Sequence, residues 1–156
     1  MFVESANGTR VRLDRDVAGI VMDIGTTERL TVNMLGGNDS FTAFGNLAAL
    51  IITTVNGGDG NDNISGTNGA DTLSGGAGSD FIDGQQGNDQ QSGGNDDDVI
   101  QWDPGDGSDL VEGDAGADTL RFNGSAANEI MSVVPNGSRI RLTLSLIHIS
   151  EPTRPY

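Results

Sequence analysis

Seven aspartates keep a strict phase through the middle of this chain. Asp62, Asp71, Asp80, Asp89 and Asp98 follow one another at intervals of nine residues, and Asp109 and Asp118 resume the step after a two-residue insertion, Trp102-Asp103. From Gly57 the register reads GGDGNDNIS, GTNGADTLS, GGAGSDFID, GQQGNDQQS and GGNDDDVIQ, then PGDGSDLVE and GDAGADTLR beyond the insertion. Two positions after each aspartate stand Ile64, Leu73, Ile82, Gln91, Ile100, Val111 and Leu120, six apolar residues and one exception. A short period of this kind marks a repeat architecture, in which each unit buries its apolar face only against its neighbours.

Composition alone suggests something else. Between Gly57 and Leu120 there are 16 Gly, 14 Asp and one Glu but no Lys or Arg, so this segment carries −15, the net charge of the whole chain. An acidic, Gly-rich stretch ordinarily buries too little to order itself and serves as a linker. The phase held over seven units argues against a linker. So acidic a surface also repels nucleic acid and anionic membrane, which makes both poor partners. The absence of Cys excludes a disulfide framework and a thiolate metal site. No apolar run approaches the ~18 residues of a membrane span, and MFVESANGTR lacks the shape of a secretory signal.

The pattern G-G-x-G-x-D-x-U-x, with U apolar, is met in full by GGAGSDFID and nearly so by GGDGNDNIS. Residues 57–121 thus resemble the RTX (haemolysin-type) calcium-binding repeats of secreted bacterial proteins. The resemblance implies an all-β fold, a right-handed parallel β-roll or β-solenoid with calcium-binding turns. Six residues of each unit make a tight turn, where Gly permits positive φ and close backbone approach. The last three form a short strand whose middle side chain points inward. Two units complete one coil, so turns 18 residues apart stack on the same edge. In the family the ion lies between such turns. The implied ligands are the side chains of Asp62, Asp80 and Asp98 on one edge and Asp71 and Asp89 on the other. Asp109 and Asp118 extend the two edges if the insertion leaves the stack intact. Backbone carbonyls of Gly58, Gly60, Gly69, Gly76, Gly78, Gly87 and Gly94 would complete the oxygen shells, since calcium takes six to eight hard oxygen donors. Several Ca2+ ions are expected, and the segment is expected to be largely unfolded without them.

Some units depart from the pattern. Gln91 replaces an inward apolar residue, predicting a buried amide or a local bulge. Asp96 stands where a fourth-position Gly belongs, predicting a strained turn, and Thr67, Gln85 and Asp114 replace second-position glycines. Trp102, the single Trp, reads as a cap over a coil end.

Residues 1–56 read as a strand-rich segment that continues or caps the solenoid. Strands are predicted at residues 10–13, 20–24, 30–34 and 50–55 from alternating and β-branched patterns punctuated by Gly and Asn. LGGNDSFTAF, residues 35–44, is either a shortened calcium turn with Asp39 as a candidate ligand or a plain hairpin. NGTRVRL at residues 7–13 matches NGSRIRL at residues 136–142 with a constant offset of 129. Residues 122–142 are therefore expected to begin a second long unit, and the natural protein is expected to run further on both sides. Residues 144–154, LSLIHISEPTR, are similar to the translation of a transposon-derived sequencing adapter. The tail 143–156 is accordingly set aside from fold reasoning. His148, the single His, falls in that tail and is no candidate ligand or base.

No G-x-S-x-G, H-E-x-x-H or Walker loop is present. Carboxylates at ninefold spacing fit calcium better than an acid/base pair, so no catalytic role is expected. Two readings follow: a calcium-binding structural module of a secreted, extracellular or cell-surface tandem-repeat protein, with adhesive or surface-layer roles in view, or the accessory domain of an extracellular enzyme. In the first, neighbouring repeats of the same longer chain are partners. The family leaves the cell unfolded by type I secretion and folds in external calcium.

Overall fold

The computed structural model describes residues 1–15, 20–25, 28–137 and 139–146, and these form strands, turns and bends with no helix. The chain divides into two compact units, Met1–Asn123 and Gly124–Tyr156.

Four strands of the first unit lie before the repeats: β1 (Phe2–Asn7), β2 (Arg10–Arg15), β3 (Ile20–Ile24) and β4 (Arg29–Asn33). Nine follow: β5 (Ser40–Phe44), β6 (Ile52–Asp59), β7 (Asn63–Ser65), β8 (Thr72–Ala77), β9 (Phe81–Asp83), β10 (Gln90–Asn95), β11 (Val99–Trp102), β12 (Leu110–Ala115) and β13 (Thr119–Phe122). They build two sheets, in the order β12-β10-β8-β6-β4 and β13-β11-β9-β7-β5-β1-β2-β3. Each coil gives one strand to each sheet, so β4/β5, β6/β7, β8/β9, β10/β11 and β12/β13 make a parallel β-solenoid of five coils. β1 adds a parallel strand beside β5 and then turns back through the antiparallel strands β2 and β3.

Register follows the apolar position of the repeat. Phe41 pairs with Ile64, Ile64 with Ile82, Ile82 with Ile100 and Ile100 with Leu120 in one sheet. In the other, Val55 pairs with Leu73, Leu73 with Gln91 and Gln91 with Val111. Because alternate strand residues face opposite sides, these two ladders meet between the sheets. Phe41, Val55, Ile64 and Ile82 are fully buried there with Val32, Met34, Leu73 and Ile100. A second cluster of Val11, Leu47 and Ile51 lies at the end where the repeats begin.

The insertion adds length without breaking the stack. β11 runs on to Trp102, the coil lengthens from 18 to 20 residues, and the pairing of Ile100 with Leu120 keeps the phase. Trp102 stacks on Phe122 of the next coil, ring centroids 4.1 Å apart and planes 3° from parallel, and its Nε1 donates to the Gly107 carbonyl at 3.1 Å. The predicted strands of residues 10–13, 20–24, 30–34 and 50–55 correspond to β2, β3, β4 and β6. β1 has no counterpart among the predicted strands. Residues 35–44 are not a hairpin, because β5 pairs in parallel with both β1 and β7.

The second unit holds an antiparallel hairpin of β14 (Glu129–Asn136) and β15 (Arg139–Leu146). Its closing pair, Asn136 with Arg139, is the counterpart 129 residues on of Asn7 with Arg10 in β1–β2. Gly8 and Gly137 have matching φ values of 66° and 68°. The longer repeat seen in the sequence is thus also a repeat of backbone form. Thr143 to Leu146 lie in β15; residues 147–156, with His148, fall outside the described residues.

Candidate metal centre

The tight turns of the coils place the periodic aspartates in two ladders. In each, a backbone N–H donates to Oδ1 of the aspartate one coil on. The first ladder runs Asp39 to Asp62 (2.8 Å), Asp62 to Asp80 (2.7 Å), Asp80 to Asp98 (2.8 Å) and Asp98 to Asp118 (3.1 Å). The second runs Asp71 to Asp89 (2.9 Å) and Asp89 to Asp109 (3.0 Å). All seven aspartates singled out from the sequence therefore fall on the two edges, and the insertion interrupts neither. Asp39 heads the first ladder in the turn before β5.

This bonding divides the labour between the two carboxylate oxygens. Oδ1 is used by the backbone, whereas Oδ2 of Asp62, Asp80, Asp89 and Asp98 is buried with no hydrogen-bond partner. These four residues are at most 3% exposed. A buried carboxylate oxygen left without a donor or cation is costly. Asp71 is the exception: its Oδ2 accepts from the Thr67 N–H at 2.5 Å and its Oδ1 from the Thr67 hydroxyl at 3.0 Å. The Thr at a second-position glycine thus closes over its own aspartate. Asp109 is half-buried and Asp118 exposed, as the last aspartates of their ladders.

The first glycine of a unit leaves the space that these oxygens face. A methyl group at Gly57 would collide with Asp62 Oδ2 and the Gly75 carbonyl, and one at Gly75 would collide with Asp80 Oδ2 and the Gly93 carbonyl. Gly93 stands in the same relation to Asp98 Oδ2 and the Gly113 carbonyl. The carbonyls of Gly58, Gly60, Gly69, Gly76 and Gly87 instead face the equivalent glycine one coil on, while Gly94 pairs with Asp114 and Gly78 lies one coil before Asp96. The first-position carbonyls of Gly75, Gly84, Gly93 and Gly113 escaped the sequence reading. Their signal was the absence of a Cβ at that position in nearly every unit.

Electrostatics follow from burial. Loss of water pushes the carboxyl pKa up at Asp62, Asp98 and Asp109, to about 6 at Asp71 and Asp80, and to about 7 at Asp89. Neighbouring aspartates raise Asp62, Asp80, Asp89, Asp98 and Asp109 further, while the ladder hydrogen bonds oppose the shift. Glu4, which nothing in the sequence singled out, is fully buried on β1 beside the second ladder. Its carboxylate accepts from the Thr53 hydroxyl at 3.2 Å, and burial raises its pKa to about 7.

Among the described residues no three His, Cys, Asp or Glu side chains converge on one point. What the turns of Asp62, Asp80 and Asp98 each offer is one unpartnered carboxylate oxygen beside a peptide carbonyl. That all-oxygen donor set, anionic and lacking its own donors, fits a hard cation such as Ca2+ and suits neither a zinc nor a copper site.

The family description "RTX calcium-binding nonapeptide repeat (4 copies)" matches residues 56–91 and 104–126. No curated protein and no solved structure matches the chain significantly. Proteins with these repeats bind calcium and are typically secreted. Periodic sequence, five parallel coils and paired aspartate ladders agree: residues 56–126 are RTX calcium-binding nonapeptide repeats folded as a β-roll.

Proposed function

We propose that the chain is a non-catalytic structural module of a secreted protein, with adhesive or surface-layer use, whose β-roll forms when calcium binds outside the cell. The observation that carries this reading is the set of four buried, unpartnered Oδ2 atoms at Asp62, Asp80, Asp89 and Asp98. These are the principal ligands, Asp109 and Asp118 serve the ends of the ladders, and Asp71, held by Thr67, contributes least. First-position carbonyls complete the shells, with those of Gly58, Gly60, Gly69, Gly76, Gly78, Gly87 and Gly94 further out. Calcium, when bound, supplies the positive charge that stacked carboxylates lack. Without it, like charges repel along each ladder, and one apolar side chain per unit is a thin core. Unfolded passage through a secretion channel followed by folding in millimolar calcium suits such a chain.

Calorimetric titration with calcium, run alongside far-UV circular dichroism, tests the reading. The wild-type chain is expected to take up several ions and gain β-structure. Asp80→Ala is expected to lose affinity, and Asp71→Ala to lose less. An unchanged spectrum between chelator and millimolar calcium, or full binding by Asp80→Ala, would overturn it.

A further inference from the structure

One coil breaks the pattern of the cradles, and it does so twice. At Gly57, Gly66, Gly75 and Gly93 the absent Cβ would meet an aspartate Oδ2 and the first-position carbonyl of the coil above. Above Gly84 the equivalent unit begins with Pro104, just past the two-residue insertion, and no carbonyl is among the three closest atoms. They are Oδ2 and Cγ of Asp89, and Nε2 of Gln91 at 2.6 Å. Gln91 is the residue that stands where every other unit has an inward apolar side chain.

The amide is poorly served as an ordinary core residue. Gln91 is 3% exposed, its Oε1 has no hydrogen-bond partner, and among the described residues its side chain makes one bond, a long one from Nε2 to Asp109 Oδ2 at 3.4 Å. Asp89 Oδ2 beside it is also unpartnered, in a residue 1% exposed. The orphaned Asp89 Oδ2, the terminal amide of Gln91 and the Asp109 carboxylate thus share one small space. A buried acceptor without a donor or cation is costly, and a cation held between Asp89 Oδ2 and an amide oxygen turned toward it would satisfy both. A half-turn about the terminal amide torsion exchanges O and N with little change of shape. It would bring Oε1 to the place of Nε2, facing Asp89 and Asp109.

We propose that Gln91 is a side-chain ligand of a cation site in the second ladder. Its amide oxygen takes the part that a first-position carbonyl plays in the other cradles, with Asp89 and Asp109 as the anionic partners. The inference rests on calcium binding by the roll, and it assigns to an interior position a role that the repeat pattern reserves for packing.

Equilibrium dialysis with calcium, on the whole chain, tests it. Gln91→Leu restores the apolar residue of the repeat and should fold in calcium, as circular dichroism would show, yet bind one ion fewer than the wild type. Gln91→Glu keeps an oxygen at the same place and should retain that ion. Terbium luminescence lifetimes in H2O and D2O supply a second readout, because loss of a protein ligand in Gln91→Leu would admit water to any ion still bound. Equal stoichiometry and equal lifetimes in Gln91→Leu and the wild type would overturn the role of Gln91, as would loss of the ion from Gln91→Glu. If the wild type itself took up no calcium, the proposed function would fail first, and the wild-type titration reports that separately.

Discussion

At the scale of single residues, each turn is a compromise between backbone geometry and charge. Gly60 and Gly78 take φ values of 121° and 115° at the fourth position, whereas Asp96, in the same place, is held at 73°. A side chain in this left-handed region costs roughly 1–2 kcal/mol, of which the extra freedom of an unfolded glycine takes back part. Asp96 also adds its charge to that felt by Asp98. Asp96→Gly is therefore expected to stabilise the calcium-loaded roll by about 1 kcal/mol, read as a higher midpoint in denaturant titration. Gln85 and Asp114 carry similar positive angles, 63° and 70°, at second positions. Thr67, at the same position in another unit, has no such angle and spends its hydroxyl and N–H on Asp71 instead.

At the scale of the element, a unit is a turn plus a strand, and the turn is held from both sides. The N–H of each ladder aspartate but the last reaches forward to the next coil, while the N–H of Asn61 and of Ser79 reaches back to Oδ1 of Asn38 and Asn61, at 2.9 and 3.1 Å. Stacking is therefore close, and close stacking is why the first position is glycine in every unit but the one that begins with Pro104. Gly75→Ala would set a methyl against Asp80 Oδ2 and the Gly93 carbonyl, neither of which can retreat without parting from its ladder. The expected cost is about 1–3 kcal/mol, the range for overpacking, together with weaker calcium binding. Thermal unfolding in calcium and calorimetry read the two effects. Unaltered stability in Gly75→Ala would contradict so narrow a cradle.

At the scale of the whole molecule, the charge that dominates the composition becomes a pH response. Asp71, Asp80 and Asp106 are raised to about 6, and Asp89 and Glu4 to about 7, chiefly by loss of water on burial. A carboxyl with a raised pKa binds its proton more tightly folded than unfolded. Its contribution to stability is complete below the unfolded value, near 4, and is lost as pH rises through about 6 to 7. Without calcium the roll should therefore gain β-structure as pH falls from about 8 to about 5, followed by circular dichroism in chelator. With calcium present, protons and ions compete, so the calcium midpoint should rise over the same interval. A calcium-free spectrum independent of pH would contradict the burial of these carboxyls.

The sequence by itself determined the repeating parts. Ninefold aspartates, first-position glycines and inward Ile or Leu could be read because a solenoid imposes the same local surroundings on every unit, so each requirement is written several times over. The four flanking strands with alternating residues were legible for a related reason, the twofold alternation of a half-buried strand. Only the tertiary structure decided the rest. Which aspartate oxygen is spent on the backbone, and whether Asp109 and Asp118 stay in line after the insertion, depend on contacts between coils 18 to 20 residues apart. The parallel seating of β1 on β5 and the burial of Glu4 on β1 rest on still longer-range contacts, each of which occurs once. A contact made once leaves no period in the chain, and it becomes visible only when the coils are stacked.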